Sequence, residues 1–294
     1  MCKEVYMIKI DTAYIAKRIK LAIDKISCEV EPACRQALRD ACEREENPTA
    51  KFALGVMNDN IDLAIAEHRP VCQDTGMAVV FLEIGKEVIL VGKLLQDAID
   101  EAVEEAYVTL RKSVLDPVTR INTKTNTPAV VHTSYVEGEN IKVEIMLKGF
   151  GSENMSKVYL LNPAQGLEEA KRLIVETAAV AGSNPCPPVI LGVGLGGTLE
   201  KAALMSKHAL FRKVGSSNPD MQLDMLEKQL LSEINAIGIG AQGFGGKTSA
   251  LGVFIEKYPT HISSLPVAVN VLCHCARSDE FIIEGRKEGE ICKL

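Results

Sequence analysis

The apolar period of this chain changes at Met77. Up to that point hydrophobic residues recur at helical spacing. From it onward, M-A-V-V-F-L-E-I and E-V-I-L-V are short runs rich in β-branched residues, which predict strands. Strand-like and helix-like stretches then interleave. The pattern predicts an α/β (mixed α+β) fold, a mixed sheet flanked by helices with a helical N-terminal subregion. The 294 residues carry no internal repeat, low-complexity tract or obvious linker. The simplest division is a single domain over 1–294, with a helical lead-in at 1–66 and an α/β part at 67–294.

Asp11 is placed to cap a helix whose apolar positions are Ile15, Ile19, Leu21, Ala22 and Ile26. A second helix is predicted over Pro32 to Arg44. A third opens at Asn47-Pro48, a cap followed by a first-turn proline, and runs toward Ala66. Residues 93–113 return to helix, with Leu94, Leu95, Ile99, Val103 and Ala106 on one stripe. The segments 129–136 and 141–148, joined by E-G-E-N, predict a β-hairpin. K-G-F-G-S-E-N-M-S-K reads as a polar loop, and a helix follows over 163–181. Strands are expected at Val189–Gly192, Ala250–Ile255 and Pro266–Leu272, with helices near 199–211 and 219–237.

A net charge of −6 and an absence of Trp speak against a nucleic-acid face or a base-stacking platform. No run reaches the roughly 20 apolar residues of a membrane span. M-C-K-E-V-Y-M-I-K-I lacks the apolar core of a secretory signal, so the cytoplasm is the expected location. In a reducing compartment, nine cysteines are core residues or metal ligands rather than disulfides. Cys28, Cys34 and Cys42, inside the helical lead-in, are expected to be core or surface bystanders, since free cysteine behaves as a small hydrophobe.

Three glycine- or cysteine-bearing motifs invite other functions. G-V-G-L-G-G (192–197) fits a dinucleotide fingerprint but opens no new domain, and no second strand ending in an acid follows. Its glycines could instead hold a substrate anion. G-F-G-G-K-T-S (243–249) resembles a phosphate loop, yet Ala241 stands where the pattern needs glycine and a strand follows Lys247. C-H-C (273–275) could be half a zinc site, but the chain contains no C-x-x-C partner. A non-catalytic nucleotide- or metal-binding module is therefore the alternative from another class.

Three cysteines share a setting. Cys72 follows R-P-V and precedes Gln73, Asp74 and Thr75, polar side chains where a core cysteine would have apolar neighbours. Cys186 lies in S-N-P-C-P-P, between prolines that fix the backbone. Cys273 ends the predicted strand P-V-A-V-N-V-L. Taken singly, each could be a core residue. Together they suit an iron–sulfur cluster, whose usual ligands are thiolates. Three ligands to a four-iron cluster would leave one iron open as a Lewis acid for a substrate hydroxyl and carboxylate. That chemistry suits a hydro-lyase acting on a hydroxy acid.

R-P-V-C-Q-D-T-G, I-N-T-K-T-N-T-P-A-V-V-H, K-G-F-G-S-E-N-M-S-K, N-P-C-P-P-V-I-L-G-V-G-L-G-G-T-L-E-K-A and L-P-V-A-V-N-V-L-C-H-C-A-R-S closely resemble the class I fumarase/tartrate dehydratase family, in its α subunit or N-terminal domain. The resemblance implies a [4Fe–4S] cluster on Cys72, Cys186 and Cys273, with Cys275 as the competing choice within C-H-C. It implies substrate contacts from Gln73, Asp74, Arg111 (with Arg120 as the fallback), Gly151 and His261, of which Asp74 and His261 would be catalytic. The implied reaction is the reversible hydration of fumarate to L-malate; dehydration of L-tartrate to oxaloacetate is the alternative. The family's general base and its remaining substrate-binding Arg and Lys residues belong to a β subunit, so an α₂β₂ assembly is expected.

Overall fold

The computed structural model describes residues 7–285. In chain order the elements are β1 (Ile8–Asp11), α1 (Thr12–Cys28), α2 (Pro32–Arg44), α3 (Pro48–Glu67), β2 (Met77–Gly85), β3 (Val88–Val91), α4 (Leu95–Ala106), β4 (Val130–Val136) and β5 (Ile141–Lys148). They continue as α5 (Phe150–Glu153), β6 (Lys157–Leu161), α6 (Gly166–Ala181), β7 (Val189–Gly196), α7 (Leu199–His208), α8 (Met221–Ala236), β8 (Ala250–Tyr258), β9 (Leu265–Leu272) and β10 (Ser278–Ile283). The mixed α/β class follows from this order. The chain forms two compact units. Among the described residues, one comprises 7–29, 72–148 and 277–285, the other 30–71 and 149–276. The three N-terminal helices are thus divided between them.

The caps read from sequence are in place. Asp11 accepts the Ala13 amide at the start of α1, and Asn47 accepts those of Thr49 and Ala50 ahead of Pro48 at the start of α3. Ile15, Ile19, Ala22 and Ile26 are buried as the stripe predicts, but Leu21 faces solvent and Ile23 takes its place in the core. Helix α4 is shorter than expected. Leu94 precedes it with an exposed side chain, and the helix ends at Ala106. The chain turns at Tyr107, whose side chain is fully buried, so residues 107–113 leave the helix to form a loop.

The first unit holds a four-stranded sheet in the order β10-β5-β2-β4 and a small parallel pair of β1 and β3. The expected hairpin of β4 with β5 does not form, because β2 lies between them. It pairs parallel with β4 (Phe81 opposite His132) and antiparallel with β5 (Val80 opposite Ile145). The E-G-E-N connection instead crosses the end of β2. Gly85 and Lys86 amides donate to the Asn140 and Val136 carbonyls, at 2.9 and 2.8 Å. A Cβ on Gly85 would stand 2.3 Å from the Gly138 carbonyl oxygen, so only glycine fits under this crossing. The core of the unit is formed by Ile15, Ile19 and Ile23 of α1, Ile99 and Val103 of α4, and the inward residues of β2 and β5.

The second unit holds a sheet in the order β6-β9-β7-β8. Strand β7, V-I-L-G-V-G-L-G, alternates bulk with glycine, and the alternation builds two different faces. Leu191, Val193 and Leu195 join Ala170 and Ile174 of α6 and Leu226, Leu230 and Ile234 of α8 in one core. The glycines face α7. A Cβ on Gly192 would meet the Ser206 carbonyl oxygen, and one on Gly194 the Ala202 carbonyl oxygen, each at 2.1 Å. G-V-G-L-G-G is therefore a strand-to-helix packing surface, with Gly192, Gly194 and Gly196 inside β7 rather than in a phosphate-binding turn. Among the described residues no helix is long and apolar enough to cross a membrane.

Candidate active site

In the first unit, the strap Cys72 to Gly76 leads into β2. Cys72 and Asp74 are half-buried and Gln73 is exposed, while Thr75 and Gly76 are buried. The strap is clamped from several elements. Asp74 Oδ1 accepts the Gly76 amide at 3.0 Å. Tyr107 donates its hydroxyl to the Thr75 carbonyl at 2.7 Å and lies 3.2 Å from the Gly76 carbonyl. The Asn126 amide group donates to that Gly76 carbonyl at 3.1 Å. Burial pushes the Tyr107 phenol well above its usual range, so it stays a donor.

Two arginines meet the strap. Thr75 donates its hydroxyl to the backbone carbonyl of Arg111 at 2.6 Å, which sets Arg111 beside the strap with its side chain exposed. Arg120, the fallback, sits at φ +59° in an exposed turn closed by Asp116. Arg277, which sequence reasoning did not single out, donates from Nη1 to the Asp74 carbonyl at 2.6 Å.

In the second unit, Cys186 precedes β7 and Cys273 follows β9. Because β7 and β9 run antiparallel, with Ile190 opposite Leu272, both cysteines stand at one end of the sheet. His274 donates from Nδ1 to the Cys186 carbonyl at 2.9 Å, joining the two loops. Cys186 is exposed and held at φ +55°, a left-handed conformation unusual for a residue with a Cβ. Cys273 is half-buried and Cys275 is buried, so the two cysteines of C-H-C differ in access. Cys34 is fully buried and donates its thiol to the His274 carbonyl at 3.4 Å. Burial, with Glu31 and Cys273 nearby, pushes that thiol up to about 12, so Cys34 is a protonated core residue.

The same end gathers further residues, among them Glu45, which no motif had marked. The amide of Gln242 donates to the Pro187 carbonyl at 2.8 Å, which ties the glycine-rich 240–246 loop to the Cys186 turn. Glu45 is buried and accepts the amides of Glu46 and Asn47 at 3.0 Å and of Lys247 at 2.8 Å. Burial by itself would raise its pKa, but the three amides outweigh it and hold the carboxyl below its usual range. Gly151 is exposed in α5, and a Cβ there would lie 3.7 Å from the Asn184 carbonyl oxygen, two residues from Cys186. Glu153, in the same short helix, is ion-paired with the largely buried Lys207 of α7.

His261 does not join this end. It lies between the end of β8 and the start of β9, where Thr260 donates to the Gly197 carbonyl beyond β7. The eight-residue strand β7 separates that end from the cysteines by about 25 Å at the usual rise per residue. His261 is exposed, and its Nδ1 lies 2.6 Å from Ser263 Oγ.

Each unit supplies thiols of the kind that ligates iron–sulfur clusters. Cys72, Cys186 and Cys273 all sit on loops at strand ends and all are at least partly accessible, as thiolate ligands must be. No group of three or more His, Cys, Asp or Glu side chains placed to hold a metal ion occurs among the described residues.

Comparison with known proteins gives a consistent result. The family model described as "Fumarate hydratase (Fumerase)" matches residues 16–282. The chain is 40% identical over 253 residues to the "Putative L(+)-tartrate dehydratase subunit alpha" of Methanocaldococcus jannaschii, covering 83% of this chain and 88% of that one. It is 32% identical over 254 residues to the L(+)-tartrate dehydratase subunit alpha of Escherichia coli O157:H7, covering 84% of each. A match spanning both units and every cysteine discussed above leaves one conclusion, that this chain belongs to the fumarate hydratase family.

Proposed function

We propose that the chain is the α subunit of a cytoplasmic iron–sulfur hydro-lyase that interconverts fumarate and L-malate. The observation that carries this reading is the clamped strap of the first unit, which presents an accessible cysteine, an amide and a carboxylate in succession beside Arg111. Cys72, Cys186 and Cys273 are the proposed ligands of a [4Fe–4S] cluster. When bound, such a cluster supplies Lewis acidity toward a substrate hydroxyl and carboxylate.

The chain's own residues would bind and orient the substrate. Arg111 offers a planar pair of donors to one carboxylate. Gln73 can hydrogen-bond the substrate from either end of its amide. Asp74 would accept the hydrogen of the substrate hydroxyl, its Oδ1 fixed by the Gly76 amide. Gly151 lets the substrate approach the backbone where a side chain would stand in the way. His261, at the far end of its sheet, is assigned to the active site of a second copy in an α₂β₂ assembly. A β subunit would supply the general base, and the relatives' designation as subunit alpha supports such a partner.

The relatives named as tartrate dehydratases favour a second reading with the same machinery, dehydration of L(+)-tartrate to oxaloacetate. The test is a panel of fumarate, L-malate and both tartrate enantiomers on the anaerobically reconstituted αβ complex. Turnover of fumarate and L-malate supports the first reading, and L-tartrate alone the second. Inactivity toward all four, in a complex that holds iron, would sink both.

A further inference from the structure

Three buried carboxylates among the described residues are met by opposite charge or by several hydrogen bonds. Glu227 pairs with Arg212, Glu144 with Lys142, and Glu45 accepts three amides. Arg277 differs from these three. It is 3% exposed, and among the described residues its buried Nε has no hydrogen-bond partner and its guanidinium donates to a neutral acceptor, the Asp74 carbonyl. Arg35 also has a partnerless Nε, but its charge is met by Asp62. A guanidinium taken out of water without an anion is costly, and the cost is recovered when an anion joins it.

The place of the residue says which anion. Arg277 immediately precedes β10, its own carbonyl accepts the Leu147 amide at 2.9 Å, and its side chain ends on the strap residue between Gln73 and Thr75. We propose that Arg277 binds a carboxylate of a dicarboxylate ligand, with the Asp74 carbonyl holding the guanidinium in place. This rests on the hydro-lyase reading and adds to it a carboxylate-binding residue from the end of the chain, beside the strap rather than on it.

The test uses the αβ complex after anaerobic reconstitution. Binding of succinate, and of its monoamide succinamate, is measured by calorimetry for wild type, Arg277→Lys, Arg277→Gln and Arg277→Ala. Loss of a charge-assisted contact should weaken succinate binding to Arg277→Gln by roughly ten- to a hundred-fold. The succinate-to-succinamate preference should collapse with it, be partly kept by Arg277→Lys, and return to Arg277→Ala when guanidinium ion is added. Equal weakening of both ligands, with the preference intact, would make Arg277 a structural clamp and overturn the proposal. So would unchanged succinate binding accompanied by an altered visible spectrum, which would point to a cluster sulfide as the acceptor. A wild-type complex that binds no dicarboxylate would overturn the hydro-lyase reading and this assignment together, whereas failure of the arginine variants alone leaves that reading standing.

Discussion

The hydroxyl of Tyr107 donates to the backbone carbonyl of Thr75 at 2.7 Å, so a residue just past α4 fixes the strap that carries Cys72, Gln73 and Asp74. Tyr107→Phe keeps the ring and removes the donor. The Thr75 carbonyl would then be buried without its partner, a cost of about 1–3 kcal/mol. Chemical denaturation should show that loss. Turnover should fall as well, since the strap is freed at the substrate end. Wild-type turnover in a destabilised variant would separate the clamp from function.

Glycines in the second unit should divide by what surrounds them. Gly194→Ala drives a methyl against the Ala202 carbonyl oxygen of α7, and overpacking of this kind costs about 1–3 kcal/mol or more. Gly151→Ala meets nothing nearer than 3.7 Å. It should fold with wild-type stability and raise KM. Melting curves and steady-state kinetics on the two variants check both halves of the contrast.

The carboxyl of Glu45 is held below its usual range, so its contribution to stability is present above the unfolded carboxylate pKa and is lost as pH falls through the folded one. Glu45→Gln should therefore lower stability at neutral pH. The gap from wild type should close as pH drops into that acidic window. Denaturant midpoints measured across an acid series give the result directly; a gap independent of pH would mean that the carboxylate charge is irrelevant there.

Co-expression tests the placement of His261. If it serves a second copy, chains carrying His261→Ala and chains carrying Cys273→Ser are each inactive alone. Mixed with the β partner, they should recover about a quarter of wild-type activity, because half of random pairs are mixed and each mixed pair holds one intact site. No recovery would return His261 to its own chain or remove it from the site.

Local signals were legible in the sequence and long-range ones were not. Asp11 and Asn47-Pro48 announced their helices because a cap and its helix are neighbours in the chain. The β4–β5 hairpin was misread because two adjacent strand-like runs and a turn say nothing of β2, which enters between them from some fifty residues earlier. The glycines of 192–197 matched a ligand motif, while their reason was the approach of α7, visible only in three dimensions. Cys72 stood out by its polar neighbours, Cys186 by its prolines and Cys273 by its place at the end of a predicted strand. Tyr107, Glu45 and Arg277 did not, because each acts by hydrogen bonds with the backbone of residues 32, 202 and 203 positions away.

The central claim is that three particular thiols hold a cluster on which turnover depends. Iron content, anaerobic visible absorption and turnover should be measured together on αβ complexes carrying Cys72→Ser, Cys186→Ser, Cys273→Ser or Cys275→Ala. The account predicts loss of stable cluster and activity in the first three and retention of both in Cys275→Ala. An active wild-type complex without iron, or a stable cluster in Cys273→Ser together with its loss in Cys275→Ala, would contradict it.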